Sequence, residues 1–261
     1  MPYIKFTVYP NEIVIDSNED GFTTENVQAI CKIGKSTKRR EGVQQFIGEK
    51  GIGFKSVFMV ASKVHIQSGS FSFSFEDLAG ELDAPTDIDV ENPSSGRQAA
   101  LSMGLVTPVW EPADTVLPDP LTRMKLTLRD KLSYSKLLSH FDTLPDTFLL
   151  FLNKLGAITI TRRDRETAES TTFSRTLDES SRQATLSKAQ RIGSEVLRPS
   201  LKHYHITRRT LTNLSPDERR NGNSAEVVLA FPFEDDEPII VDQETYAYLP
   251  MGNFGFSVSR S

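Results

Sequence analysis

The chain of 261 residues is poor in cysteine and in long apolar runs. Its one cysteine, Cys31, cannot form an internal disulfide, which excludes a disulfide scaffold and a cysteine-based zinc site. A representative apolar run, Val57–Ala61, is far shorter than the roughly 18–20 residues that a helix needs to cross a bilayer. The first ten residues alternate like a strand and lack the features of a secretion signal. We therefore expect an intracellular protein, cytoplasmic or nuclear, with no membrane partner.

The chain also lacks an excess of basic charge, because 30 Lys and Arg residues stand against 35 Asp and Glu residues. Hydrophobic residues make up 38% and charged residues 25%, which is typical of a globular protein and excludes a disordered one. The most basic stretch, Thr161–Gly222, intersperses its basic residues with acidic ones, so it predicts a solvated sheet surface and no nucleic-acid partner. His203 and His205 have no third ligand nearby, so we expect no metal site.

The hydrophobic periodicity predicts a mixture of helices and hairpin-linked strands. Apolar residues alternate over Ile4–Val8 and again over Ile13–Ile15, with a Pro-Asn pair between them, which indicates a hairpin. Helices are predicted at Thr23–Ile33, where Thr23 or Thr24 can act as the N-cap, and at Gly53–Ala61, Leu132–His140 and Pro145–Leu155. Lys63–Phe75 is predicted to form two strands around Ser68-Gly69, and further strands are predicted at Gly104–Trp110, Arg123–Leu128 and Ala157–Thr161. This mixture favours an α/β fold in which one helical layer packs on one sheet.

The most informative stretch is a glycine-rich segment, Gly48–Ser56. Three glycines at G-x-x-G-x-G spacing let the backbone approach a ligand and point amide groups at an anion, although such glycines also serve plain tight turns. A P-loop is rejected because Phe54 intrudes before Lys55. The dinucleotide fingerprint is rejected because its glycine order is reversed and no βαβ unit leads into the segment.

Several spaced motifs together resemble the gyrase, heat-shock chaperone, histidine kinase and MutL (GHKL) ATPase superfamily. An acidic turn at Asp16–Thr23, a helix, a lid at Gly34–Gln45 and a glycine box at Gly48–Gly53 follow the order of that superfamily. The strings NEDGF, AIC-x-x-GKSTK and IGEKGIGFKSVF are most similar to the sacsin and plant NO VEIN type of ATPase domain, especially its fungal relatives. The match is rich in motifs over Tyr3–Phe75 and weaker over Leu121–Ile160.

The resemblance implies a fold and a division of the chain. Residues 1–161 are expected to form a histidine kinase-like or chaperone-like ATP-binding domain. Its fold would be a Bergerat-type two-layer sandwich, with a mostly antiparallel mixed sheet and helices on one face. Residues 162–261 are expected to form a partial second α+β region.

The resemblance also implies an adenine nucleotide as ligand, with ATP bound alone or with Mg²⁺. In the superfamily an aspartate accepts a hydrogen bond from the adenine amino group, and a following glycine leaves room for the ring. The glycine maps to Gly21, but the aspartate position holds Ser17, so Asp16 or Asn18 is the implied contact. A late threonine, here Thr122, would back up the adenine.

The phosphates would lie on the other side of the implied site. A lid lysine would meet them, and the backbone of the glycine box would wrap them. The residues implied on this side are Lys35, Lys38, Gly48, Lys50, Gly51, Ile52, Gly53 and Phe54.

Catalysis is the part that the sequence does not supply. The superfamily carries its catalytic glutamate and its magnesium-holding asparagine on a helix upstream of the acidic turn, and the residues before Asp16 leave no room for that helix. We expect the chain to be a fragment, the product of a truncated gene or a nucleotide-binding relic. We therefore expect nucleotide binding without measurable hydrolysis, and no catalytic residue is assigned. The alternative is a non-catalytic interaction or scaffold module that keeps the fold, binds no nucleotide and serves an unidentified protein partner or client.

Overall fold

The computed structural model describes residues 1–31, 54–77, 104–113, 115–118, 120–129, 134–152, 154–164, 168–213, 224–235, 237–240, 246–247 and 249–250. No helix within these ranges is long and apolar enough to cross a bilayer.

The described residues are mostly β-strand. Two α-helices occur in them, α1 (Thr24–Ile30) and α2 (Tyr134–Asp142), together with two 3-10 helices at Phe54–Met59 and Asp146–Leu150. The strands are β1 (Tyr3–Val8), β2 (Glu12–Ser17), β3 (Ala61–Ser68), β4 (Phe71–Glu76), β5 (Val109–Trp110), β6 (Thr122–Leu128), β7 (Ala157–Arg163), β8 (Ala168–Asp178), β9 (Gln183–Ile192), β10 (Glu195–Val196), β11 (Ser200–Leu211), β12 (Ala225–Glu234), β13 (Glu237–Pro238), β14 (Tyr246–Ala247) and β15 (Leu249–Pro250).

Thirteen of these strands form one mixed sheet in the order β13-β12-β11-β9-β8-β7-β1-β2-β6-β3-β4-β5, with β10 paired to β9. Strands β14 and β15 pair only with each other. Within the described residues, β1 and β7 are parallel and every other pair of neighbours in the large sheet is antiparallel. The parallel pair joins an N-terminal half-sheet to a C-terminal one.

Local sequence signals account for the first elements. The predicted hairpin is confirmed, because β1 and β2 pair from Ile4 with Ser17 to Val8 with Ile13. The predicted strand pair around the Ser68-Gly69 turn is also confirmed as β3 and β4. Helix α1 begins after Thr23, whose side chain accepts from the backbone of Asn26 while the Asn26 side chain accepts from the backbone of Thr23. This reciprocal cap satisfies amide groups that the first turn leaves free.

The predicted two-layer α/β sandwich is wrong, because the described residues form one large mixed sheet with few helices. The predicted helix Gly53–Ala61 is a 3-10 helix that ends at Met59, and Ala61 already begins β3. The predicted helix Pro145–Leu155 shortens to the 3-10 helix Asp146–Leu150. Both segments are apolar, but their aromatic and β-branched side chains favour a helix less than their apolar content suggests.

The sheet also continues past the predicted domain boundary. Thr161 lies inside β7, which pairs with β1 on one side and β8 on the other. Beyond β7 the described residues form strands and turns, with no α-helix. The alternation of apolar and polar residues is weak in this part of the sequence, because in β8 only Phe173 and Arg175 of eleven residues are buried. The division into residues 1–161 and 162–261 stays a prediction.

The apolar face of the sheet carries the core and the helices. Phe73 and Phe75 are fully buried on this face. The Phe73 ring lies 6.5 Å from that of Phe22, just before α1, and the Phe75 ring lies 5.7 Å from that of Phe54 in the 3-10 helix. Helix α2 packs on the same face further along the sheet, where the Phe141 ring lies 5.6 Å from that of Phe6 in β1. Aromatic contacts therefore hold the helical elements to the sheet.

The opposite face of the N-terminal half-sheet carries an ionic cluster. The Lys63 ammonium lies 2.7 Å from a carboxylate oxygen of Glu111 and 2.8 Å from one of Glu76. Ser74 also donates to Glu111. Hydrogen bonds from Lys63 and then Ser74 lower the pKa of Glu111, and those to Glu111 and then Glu76 raise the pKa of Lys63. The cluster fastens the segment after β5 to β3 and β4.

We predict that Glu111→Gln destabilises the fold in a pH-dependent way. Because the folded pKa of Glu111 is lowered, its contribution is complete above the ordinary value of 4.5 and is lost as the pH falls through the folded value. The raised pKa of Lys63 makes its contribution complete below 10.5 and lost as the pH rises through the folded value. At pH 7 the variant should lose no more than about 1 kcal/mol, since the pair is partly exposed.

Urea unfolding of the parent chain and Glu111→Gln at a series of pH values measures this difference. It should shrink below pH 4.5. Glu195→Gln, an exposed change on β10, is the matched control and should show no such trend. A difference that stays constant down to acid unfolding would contradict the ionic assignment.

A buried arginine ties the C-terminal half-sheet to the 3-10 helix Asp146–Leu150. Arg175 on β8 is only 8% exposed, and burial lowers the pKa of its guanidinium. One of its terminal nitrogens donates to the carbonyls of Leu149 and Leu152, at 2.7 and 2.8 Å. These carbonyls stand at the end of the 3-10 helix, where intrahelical donors run out.

We predict that Arg175→Met lowers the free energy of unfolding by about 2 kcal/mol, because two carbonyls lose their donor. The change should lower the melting temperature by roughly 4–8 °C, measured by circular dichroism. Arg209→Met replaces an exposed arginine on β11 and serves as the control, with an expected effect within about 0.5 kcal/mol. Equal losses in the two variants would show that the buried hydrogen bonds contribute nothing.

Candidate functional site

The acidic turn lies between β2 and α1, at the end of the N-terminal half-sheet. Gly21 in this turn has a φ of +88°, a left-handed conformation that glycine adopts without strain. A Cβ at this position would lie 3.3 Å from the hydroxyl oxygen of Ser68. The next residue, Phe22, donates its backbone N–H to the same oxygen at 2.8 Å. The turn is therefore seated directly on the last residue of β3.

A row of three hydroxyl-bearing residues crosses the sheet beneath this turn. Thr122 of β6 pairs in register with Ser17 of β2 on one side and with Ser68 of β3 on the other. Residues directly opposite each other on neighbouring strands share a face. The hydroxyl oxygens of Ser68 and Thr122 lie 2.6 Å apart, and both side chains are buried. We call Ser17, Thr122 and Ser68 the hydroxyl row.

Asp16 lies on the opposite face of the sheet. Successive side chains of a strand alternate between faces, so Asp16 points away from the hydroxyl row that contains Ser17. Its two carboxylate oxygens accept from Nε and Nη2 of Arg123, at 2.7 and 3.0 Å. Hydrogen bonding to this carboxylate raises the pKa of Arg123. The structure thus brings Gly21 and Thr122 together but does not bring Asp16 to them.

Asn18 holds the beginning of the chain. Its side-chain oxygen accepts from the backbone N–H of Tyr3 at 2.7 Å, and its amide nitrogen donates to the backbone carbonyl of Met1 at 3.2 Å. Both ends of the amide are therefore engaged with the start of β1. The predicted adenine contact by Asp16 or Asn18 stays a prediction.

The predicted phosphate side lies almost entirely outside the described residues. This applies to Lys35, Lys38, Gly48, Lys50, Gly51, Ile52 and Gly53. Phe54 is described, and its ring packs edge-on against those of Phe58 and Phe75, at 6.3 and 5.7 Å. These contacts place the Phe54 ring in the core.

Sequence reasoning identified Thr122 but missed its partner Ser68. The signal available was a serine that ends an apolar series on one face of β3, after Val64 and Ile66. A hydroxyl at such a position is fully buried only if another strand brings it a partner, and that partner lies 54 positions away in the chain. Only the register of β3 with β6 reveals it.

One of the two histidines considered as metal ligands, His203, has other side-chain partners in the structure. His203 shares a hydrogen bond of 3.1 Å with the hydroxyl of Thr185, and its ring lies 5.9 Å from that of Phe233. Across the part of the chain that the structure describes, no three His, Cys, Asp or Glu side chains come together.

Comparison with known proteins gives one informative relative. The chain is 33% identical over 162 residues to Protein NO VEIN of Arabidopsis thaliana, which corresponds to 60% of this chain and 6% of that protein. The chain is thus a partial homologue of Protein NO VEIN and spans a small part of its length. No family model matches the chain. A crystal structure of the N-terminal domain of a DNA repair protein covers 63% of this chain and 44% of its own, at 12% identity and a TM-score of 0.35, which is too slight a likeness to support any inference.

We predict that Gly21→Ala destabilises the fold more than Gly69→Ala does. Both glycines have positive φ, +88° and +57°, but only Gly21 has a neighbour where a Cβ would stand. Backbone strain alone should cost about 1 kcal/mol at Gly69. Strain together with displacement of the Ser68 hydroxyl should cost about 2–3 kcal/mol at Gly21. Chemical denaturation measures both, and equal losses would contradict the seating of the turn on Ser68.

Proposed function

We propose that this chain binds an adenine nucleotide, ATP alone or with Mg²⁺, through a GHKL-type ATPase-like domain of the NO VEIN type. The base would lie at the acidic turn, and the phosphates would lie at the glycine box. The proposal concerns binding; turnover of ATP is not part of it.

One observation carries the proposal. Gly21 and Thr122, which the motif order predicts at the adenine side, are 101 positions apart, yet both lie beside the Ser68 hydroxyl, which bonds that of Thr122 and lies 3.3 Å from the Cβ position of Gly21. Such a meeting requires the β3–β6 register, which is independent of the motif itself. A glycine turn beside the partly exposed Ser17 of the hydroxyl row provides close backbone approach and a hydrogen-bonding group, which a planar base needs.

The proposed phosphate contacts are supported by the sequence motifs and by the similarity to Protein NO VEIN. The glycine box would place backbone N–H groups around an anion, and the lid lysines would add charge. The 33% identity to Protein NO VEIN over 162 residues supports a shared domain, although it extends over only 6% of that protein. The matched 162 residues do not determine which client or partner either protein serves.

A scaffold without nucleotide is the second candidate, and a specific observation favours it. Both residues proposed to contact adenine are engaged within the fold, Asp16 with Arg123 and Asn18 with the start of β1. The positive φ of Gly21 likewise explains why a glycine stands there without any ligand. A module of this kind would keep the fold for contact with a protein partner.

The two candidates differ in their response to ATP. If nucleotide binds, ATP at 100 times its dissociation constant should stabilise the 261-residue chain by about 2.7 kcal/mol. The melting temperature should then rise by roughly 5–11 °C. Gly53→Ala, which adds a Cβ where the backbone would approach phosphate, should reduce this shift strongly.

Gly193→Ala is the matched control for this experiment. Gly193 also has positive φ, +59°, but lies in the turn between β9 and β10 with nothing near its Cβ position. This variant should melt lower than the parent yet keep the full ATP shift. No shift in the parent at millimolar ATP, with and without Mg²⁺, would favour the scaffold.

A further inference from the structure

We propose that Ser17 is the residue that meets the nucleobase and that it leaves the site with little preference between adenine and guanine. This inference rests on the proposed nucleotide site and concerns its specificity. It follows from the face on which each polar side chain of β2 lies.

Strand geometry puts Ser17 on the site's face. Ser17 is in register with Thr122, whose hydroxyl bonds that of Ser68 beneath the Gly21 turn. Thr122 and Ser68 are 1% and 0% exposed, whereas Ser17 is partly exposed. Of the hydroxyl row, Ser17 is therefore the member that a ligand can reach, and Thr122 and Ser68 lie buried next to it in the sheet.

The same alternation of side chains keeps the carboxylate of Asp16 away from the proposed base site. Asp16 lies on the other face, and its side chain is only 13% exposed. Both of its oxygens are held by Arg123. To reach the base, Asp16 would have to leave a bidentate charge-assisted pair and turn through the sheet, which changes the register of β2.

Hydroxyl and carboxylate differ in what they can select. An ionised carboxylate only accepts hydrogen bonds, whereas a serine hydroxyl both donates and accepts. Adenine presents an amino donor at position 6, and guanine presents a carbonyl acceptor there. A carboxylate that faces position 6 would therefore accept from the adenine amino group and repel the guanine carbonyl, while the Ser17 hydroxyl can rotate to suit either group. We expect the affinities for ATP and GTP to agree within about tenfold.

The test is isothermal titration of ATP, GTP and ITP into the parent chain and its variants. Ser17→Asp places an acceptor-only group on the site's face and should raise the preference for ATP over GTP at least tenfold. Ser187→Asp adds a carboxylate to a partly exposed position on β9 and should leave the preference unchanged. Ser17→Ala should weaken ATP and GTP alike, and it decides the matter if Ser17→Asp does not fold.

Each result has one consequence. If the parent chain prefers ATP by much more than tenfold, or if Asp16→Asn removes an ATP preference while the melting temperature shows a folded chain, the inference is overturned and the proposed binding stands. The inference is also overturned if Ser17→Ala changes neither affinity. If no nucleotide binds at millimolar concentration, the proposed function itself fails. Agreement within tenfold, with the gain in Ser17→Asp, supports the inference.

Discussion

The parallel pairing of β1 with β7 is the constraint on which the rest of the structure depends. It runs from Tyr3 with Ala157 to Val8 with Arg162. On one side of it lie β2, β6, β3, β4 and β5, and on the other lie β8, β9, β11, β12 and β13. We call this pair of strands the seam, and Val8, Ile158 and Ile160 are buried in it. Removing the pairing would separate two half-sheets that no other strand pairing joins among the described residues.

The seam also fixes the position of the candidate site. Because β2 is the antiparallel neighbour of β1, the acidic turn that follows β2 starts beside the first residues of the chain, where Asn18 bonds the backbone of Tyr3 and Met1. The first residues are bound from the other half-sheet as well, since Gly156 donates its backbone N–H to the carbonyl of Pro2. The turn is thus tied by the Asn18 side chain to residues that the other half-sheet also binds, and its place follows from pairings made elsewhere.

The sequence predicted the elements whose signals are local. Strand alternation predicted the β1–β2 and β3–β4 hairpins, and the two threonines at positions 23 and 24 predicted the start of α1, where Thr23 is the cap. The long strands β8, β9 and β11 were beyond this reasoning, because each buries only two side chains and leaves the others partly or fully exposed. Apolar content alone likewise overestimated the helices at Phe54 and Asp146, where two 3-10 helices occur.

The candidate site shows a different limit, since a motif gives order along the chain but not the face of a strand. Asp16 and Ser17 are adjacent in sequence, and either could stand in for an acidic residue in a motif. Strand pairing separates them, because Ser17 aligns with Thr122 while Asp16 aligns with Arg123. The bidentate pair with Arg123 stabilises this strand register. A slip of β2 by one residue would bury the carboxylate against Thr122 and would move Ile13 and Ile15 to the polar face. The face that Asp16 occupies is therefore set by the whole core of the N-terminal half-sheet, and the polar side chain that β2 places on the other face, in register with Thr122, is that of Ser17.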